Sequence, residues 1–522
     1  MTFSGYSKRD TNIIKGFAIL CIVLHNYFHW LWPSPGENEF DFAPERIQKL
    51  FQTLGAEPGE WVNLLFSYLG HYGVQLFILI SGFGLTVSMM HKPRTWESFV
   101  VVRLKKLYPL LLVGILVCFF GKIVMEGKPF GPYEWTEIGY KLLFIHTLIP
   151  NSGLSVNGPW WFFALIFQLY LLFPLLFRWI RKGGWITFAC VCALCYGLIF
   201  LFRYVLTDCF GEFVMQNAPG HLPEFCLGMV LACHEGKRLH PLWLVLAVAV
   251  FCLGNFYALF YPFTFLALSV IAVFAYEGLK SLPLRKHWIG TPLAYFGGIS
   301  MTMFAVHGYF RTPLLLFAVS QHSPWRRMLS GFYYLLVVWA IAVAAKLLYD
   351  FLCRQLDRIV IRENKVTRVL GIVFSWAFGL FFAGVLGYYI VNGVPSHNRL
   401  ITEPIQMTES GLIEAGSEYA KLAVIDFEQH YPTLHIQGSF ETHSLDTLTP
   451  LPSVVMNISE LLWIRLELPK ENNTDGYQTY RFNYNFQCPF IKNLRGKELN
   501  IFFWNEHKGR MEFKNAKVEL LH

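Results

Sequence analysis

The stretch NIIKGFAILCIVLHNYFHWL, Asn12 to Leu31, has the length one helix needs to cross a bilayer, yet it carries Lys15, His25 and His29. Ionisable groups inside spanning helices are costly; they face a bundle interior or a water-filled cavity and mark substrate paths. Lys15 and His25 stand roughly 15 Å apart along a helix axis at about 1.5 Å per residue. One can therefore hold an anion while the other does chemistry deeper in the membrane. His29 lies one turn beyond His25, beside Trp30 and Trp32, which suits the membrane interface. The two histidines lack a third ligand, so no metal site is read here. Glu224 in HLPEFCLGMVLA and His307 in GGISMTMFAVHGYF are further polar residues in apolar runs, while Arg103 and Lys106 in RLKKLYP stand at the inner end of another. Each has a plainer use. Lys15 can snorkel to headgroups, Arg103 and Lys106 obey the bias of basic residues toward the cytoplasm, and Ser81-Gly82 allows close helix packing.

The elements that must position these residues are set by composition. The chain has 522 residues, 54% hydrophobic and only 15% charged, with a mean hydropathy of +0.40, which excludes an ordinary soluble domain. Apolar runs of spanning character recur at 12–31, 72–90, 107–125, 159–177, 185–203, 221–234, 241–259, 261–278, 292–317, 330–350 and 369–391. The first is expected to stay in the membrane, because no small-residue cleavage site follows it. With the N-terminus cytoplasmic, about twenty Lys and Arg fall on inner connections and about eight outside. This asymmetry accounts for the net charge of +8 without a nucleic-acid partner. The expected fold is an all-α polytopic membrane bundle of about eleven transmembrane helices, with the C-terminus outside.

After Asn392 the pattern changes to short alternating stretches: LAVIDFE, TLHIQGSF, SVVMNIS, LWIRLEL, QTYRFNYNF, ELNIFFW and MEFKNAKVELL. They predict a soluble all-β sandwich or jelly-roll-like domain, with 395–415 as a polar linker. Only Cys488 of the eleven cysteines lies there, so no internal disulfide is expected; the cysteine spacings make no zinc site. Trp504, Tyr480 and Tyr484 are candidates for a sugar-stacking platform.

Taken in order, several segments give the chain a family likeness. Residues 6–350 resemble the acyltransferase-3 family of integral-membrane acyltransferases. Lys15 and His25 resemble its basic-residue-to-histidine motif. GVQLFILISGF, with Ser81, resembles its second-helix segment, and RLKKLYP its basic cluster before Pro. WWFFALIFQLYLLFP, with Trp161, Gln168, Tyr170 and Pro174, resembles its Trp to Gln-x-Tyr to Pro helix. LPEFCLGM, with Glu224, and the helix holding Ser300 and His307 complete the set. The chain departs from the family pattern in three places. Nine residues stand between Lys15 and the histidine, where the family most often has Arg with ten. Ile166 and Phe167 stand where a Glu often precedes Gln-x-Tyr. The tail carries no Gly-Asp-Ser nucleophile segment, which leaves it the character of a binding or docking module.

The resemblance implies transfer of an acyl group, most often acetyl, from cytoplasmic acyl-CoA to a hydroxyl of a cell-surface glycan or lipid-linked saccharide. Acetyl-CoA is then a co-substrate, with no permanently bound cofactor. Lys15, Arg103 and Lys106 would hold the CoA phosphates. His25 would act as general base, with Glu224 as its acid partner. Ser81, Trp161, Gln168, Tyr170 and His307 are the expected substrate-side residues. Direct transfer and a transient acyl-enzyme on His25 or Ser81 are both open routes. On this reading residues 1–368 form the acyltransferase-3-like membrane domain with the first ten helices. Residues 369–394 are the last helix and its connection, and 395–522 an extracytoplasmic domain suited to glycan binding. The expected location is the cell (inner) membrane, in contact with lipid. An alternative from a different class is a transporter or flippase for an anionic or glycan substrate, since intramembrane charges serve that task equally well.

Overall fold

The computed structural model describes residues 2–201, 214–280, 288–319 and 323–359 apart from 32–33, 35, 41 and 150–151, and scattered positions between 369 and 384. It also describes 401–521 apart from 402, 429–430, 432, 446–452, 459–461, 467, 469–476, 488–493 and 506–508. The chain divides into two compact units, Met1–Gly384 and Val385–His522.

The first unit is helical: α1 (Lys8–Phe28), α2 (Glu45–Ala56), α3 (Trp61–Leu69), α4 (Gly73–His91), α5 (Trp96–Glu126), α6 (Pro132–Leu142), α7 (Trp161–Phe200), α8 (Ala218–Cys233), α9 (Leu242–Phe256), α10 (Thr264–Leu279), α11 (Gly290–Val306), α12 (Arg311–Val319) and α13 (Pro324–Ile359). Local chemistry sets several of these ends. The Asp10 amide donates to Ser7 Oγ at 3.2 Å and the Ser7 amide to Asp10 Oδ2 at 2.9 Å, a reciprocal cap that starts α1. Asp10 also accepts the Tyr276 hydroxyl at 2.7 Å, tying that cap to α10. Thr95 caps α5, and Gly127 ends it in the left-handed region at φ 70°.

Every apolar run expected up to residue 350 contains helix among its described residues, and 369–391 lies outside the described residues save for scattered positions. Six helical stretches among the described residues are long and apolar enough to cross a membrane: 8–28, 58–91, 96–126, 158–200, 261–279 and 324–356. This number is lower than the run count because 369–391 lies outside the described residues and for two physical reasons. α8, α9 and α11 have 16, 15 and 17 residues, short of the roughly 20 that span hydrocarbon unaided. α7 joins two runs through a turn at Gly184 (φ 50°, ψ −125°). The run expected over 292–317 is interrupted as well: His307 takes extended backbone and Gly308 a φ of 94°, separating α11 from α12.

Two tight crossings organise the bundle. A Cβ on Gly16 would overlap the Leu293 carbonyl, and one on Gly297 the Asn12 carbonyl, so α1 and α11 meet backbone to backbone. Gly82 on the Phe225 carbonyl and Gly228 on the Leu79 carbonyl do the same for α4 and α8. These contacts fix the helices that carry His25 and Glu224.

The second unit is an antiparallel β-sandwich. Its strands are β1 (Ile405–Met407), β2 (Gly411–Ile413), β3 (Tyr419–Asp426), β4 (Thr433–Ser444), β5 (Ser453–Ile458), β6 (Leu462–Leu466), β7 (Gln478–Gln487), β8 (Glu498–Trp504) and β9 (Met511–Leu521). They form sheets of order β1-β3-β8-β5-β6 and β2-β9-β4-β7. All seven stretches read from the sequence appear, as β3 to β9. The polar segment expected as linker contains β1 and β2, three-residue edge strands too short to show a period of two. Inward residues of both sheets share one core, where Phe440 of β4 and Phe503 of β8 meet edge to face at 4.7 Å. Tyr480 belongs to that core and is fully buried, which removes it from any surface platform.

Candidate active site

α1 delivers His25 to the wall of a cavity of about 810 Å³. Gly70 abuts the His25 Cβ, leaving no room for a side chain that would push the imidazole aside. His25 Nδ1 lies 3.3 Å from the carbonyl oxygen of Phe66, in α3. A carbonyl only accepts, so Nδ1 carries the proton and Nε2 holds the lone pair. The ring centroids of His29 and His71, both lining the same cavity, lie 5.0 and 5.3 Å away. Trp161, at the start of α7, forms another part of the wall, as does Arg311, whose guanidinium sits 4.8 Å over the Trp30 ring.

The basic residues sit elsewhere. Lys15 is half-buried on α1, and Lys106 is exposed on α5. Arg103 is half-buried, with its guanidinium 5.1 Å from the Phe99 ring and 6.0 Å from that of Tyr170. Its Nε atom is buried and has no hydrogen-bond partner among the described residues. The structure thus brings Arg103 and Tyr170 together, and His25 and Trp161 together, as two separate groups.

Glu224 is buried on α8, neither carboxylate oxygen has a hydrogen-bond partner among the described residues, and its Oε1 stands 4.0 Å from His221 Nδ1. His221 Nε2 donates to the Met215 carbonyl at 2.8 Å, and its ring lies 5.6 Å from Trp161. Among the described residues the His25 ring has its hydrogen bond with Phe66 and its ring contacts with His29 and His71, and none with Glu224. His307 is buried with Nδ1 2.8 Å from the Phe304 carbonyl, while Phe304 and Gly308 on either side of it line the cavity. Ser81 is half-buried next to the Gly82 crossing. Gln168 is engaged in the frame: its amide donates to Asn217 Oδ1 at 2.6 Å, and its carbonyl accepts from the Ala218 amide at 2.8 Å, clamping the start of α8 to α7.

His71, His221, Asn157 and Arg311 escape a reading of the sequence. His221 had a signal, since it precedes Glu224 by three residues and so shares its helix face. His71, Asn157 and Arg311 reach the cavity from an ordinary-looking helix end or loop, with no periodic pattern to single them out.

A family model described as an acyltransferase domain, of the acyltransferase-3 type, matches residues 9–349, more than half of the chain. The chain is also similar to acyltransferase MdmB of Streptomyces mycarofaciens, 34% identical over 119 residues, covering 22% of this chain. That match spans only 30% of the relative's own length. No solved structure matches the chain.

Proposed function

The chain belongs to the acyltransferase-3 family, and from that premise we propose that it moves an acyl group, acetyl in the first instance, from cytoplasmic acyl-CoA to a hydroxyl of a glycan or lipid-linked saccharide outside the membrane. The observation that carries this reading is the His25 imidazole, proton on Nδ1 toward Phe66 and lone pair free on Nε2, on the wall of a cavity large enough for a sugar. A hydroxyl is too weak an acid to attack a thioester unaided. Nε2 takes the hydroxyl proton as the oxygen adds to the thioester carbon. The tetrahedral intermediate then breaks its C–S bond, and the CoA thiolate leaves with the proton from His25. Arg103, with a buried unpaired Nε, supports an anion site for the CoA phosphates, joined by Lys15 and Lys106. The short α8, α9 and α11 cross as packed members of the bundle, giving about eleven crossings with the N-terminus inside and 395–522 outside the inner membrane.

The test is CoA release and label transfer from radiolabelled acetyl-CoA by the purified protein in native lipid. Release coupled to labelling of saccharide supports the reading. Movement of a saccharide across the bilayer with no CoA released would replace it with the transporter alternative.

A further inference from the structure

We propose that Asn157 orients the acceptor, reading the hydroxyls of a saccharide with both ends of its carboxamide; this deepens the acyl-transfer reading above and rests on it. Asn157 is 3% exposed and lines the same cavity as His25, and neither Nδ2 nor Oδ1 has a hydrogen-bond partner among the described residues. Buried polar atoms are nearly always paired, so an amide left open at both ends on a cavity wall is a group awaiting a ligand. A carboxamide supplies two donors and one acceptor side by side, the complement of hydroxyls that both accept and donate.

The loop is built to hold the amide there. Val156 takes φ 62°, a region that β-branched residues rarely enter and that persists only when the surroundings enforce it. Enforcement comes from α6. Ser155 Oγ donates to Glu137 Oε2 at 2.7 Å, and Lys141 Nζ donates to Ser155 Oγ at 2.8 Å and to the Ser152 carbonyl at 3.2 Å, with Glu137 and Lys141 both fully buried. On the other side Gly308 leaves the space that Asn157 Oδ1 occupies: a Cβ at 308 would come within 2.5 Å of that oxygen. Gly308 is itself anchored through its amide to the Tyr334 hydroxyl at 2.9 Å. Trp161 lines the same cavity, and an aromatic side chain there suits the apolar edge of a sugar.

The experiment uses the full chain in native membranes, where the endogenous acceptor is present, with radiolabelled acetyl-CoA as the probe. Label in saccharide is compared for wild type, Asn157→Ala and the near-isosteric Asn157→Asp, alongside calorimetric acetyl-CoA affinity of each purified protein. Asn157→Ala is expected to lower transfer about tenfold or more, the usual effect of removing hydrogen bonds to a bound group, with acetyl-CoA affinity within about twofold of wild type. Asn157→Asp, which keeps the acceptor end and loses the donor end, is expected to fall between the two. Wild-type transfer by either variant overturns the proposal, and so does a loss of acetyl-CoA affinity as large as the loss of transfer. A wild-type protein that labels nothing overturns the acyl-transfer reading itself.

Discussion

His25 Nδ1 lies 3.3 Å from the carbonyl oxygen of Phe66, forty-one positions later in the chain, and this contact selects which ring nitrogen can take a proton. His25→Asn keeps a donor close to the Nδ1 position and removes the base. The variant should fold, bind acetyl-CoA with wild-type affinity and lose turnover by roughly 10²–10⁴-fold, the range for loss of a general base. Calorimetry and label transfer on one preparation check both halves. Near-wild-type turnover in His25→Asn would leave the imidazole a packing role only.

Arg103 and Lys15 should separate from His25 in the same assay. Removing one phosphate contact costs about 1.5–3 kcal/mol, on the scale of hydrogen bonds to charged groups, which is roughly ten- to a hundredfold in affinity. Arg103→Ala is expected to show this loss. If Lys15→Ala binds acetyl-CoA normally while Arg103→Ala does not, the anion site is built on α5 without α1, in keeping with the nine residues, rather than ten, that stand between Lys15 and His25.

The β-sandwich should behave as a unit of its own. Its core closes within 401–520 through residues such as Leu434, Phe440, Ile501 and Val518, all buried. Residues 395–522 expressed alone should give a cooperative melt and a β-rich circular dichroism spectrum without hydrolysing esters. Protease added to intact cells should release a fragment of that size. Protection until the membrane is permeabilised would reverse the proposed topology.

Helices and strands were legible in this sequence because both signals are written locally, as apolar length in runs such as GVQLFILISGF and as a period of two in runs such as MEFKNAKVELL. The residues that meet were not. Phe66 presents a backbone carbonyl, which any residue type supplies, so nothing in its identity announces the contact with His25. The interruption at His307 lies inside a stretch whose overall apolar character reads as one span, and it depends on the positive φ of Gly308. Parity misled for the aromatics of the sandwich. Tyr480 faces inward with Phe440 at 5.5 Å, while Tyr419 and Trp504 stack at 6.3 Å on paired strands of the other sheet, with Tyr419 exposed. Trp504 carries the Arg465 guanidinium at 4.6 Å. Trp504 therefore keeps its candidacy as a sugar platform, now with Tyr419 in place of Tyr480.

Gln168 offers the sharpest separation of a frame residue from a substrate residue. Its family resemblance points to substrate, whereas its side chain spends both ends on Asn217 and the Ala218 amide, at 2.6 and 2.8 Å. Asn217 in turn accepts from Thr147 at 2.9 Å and donates to the Thr147 carbonyl at 3.1 Å, so the cluster joins α7, the loop before it and the start of α8. Gln168→Ala leaves the buried Ala218 amide without an acceptor, at a cost of about 1–3 kcal/mol. The expected outcome is a lowered midpoint in a thermal melt of the purified protein, with the acetyl-CoA affinity of the folded fraction unchanged. Because the same clamp sets where Glu224 and His221 stand on α8, turnover should fall only as far as that helix shifts, and Gln168→Glu, which keeps the acceptor for the Ala218 amide, should recover part of the stability. An unchanged melting midpoint combined with a raised acceptor KM would instead assign Gln168 to the substrate.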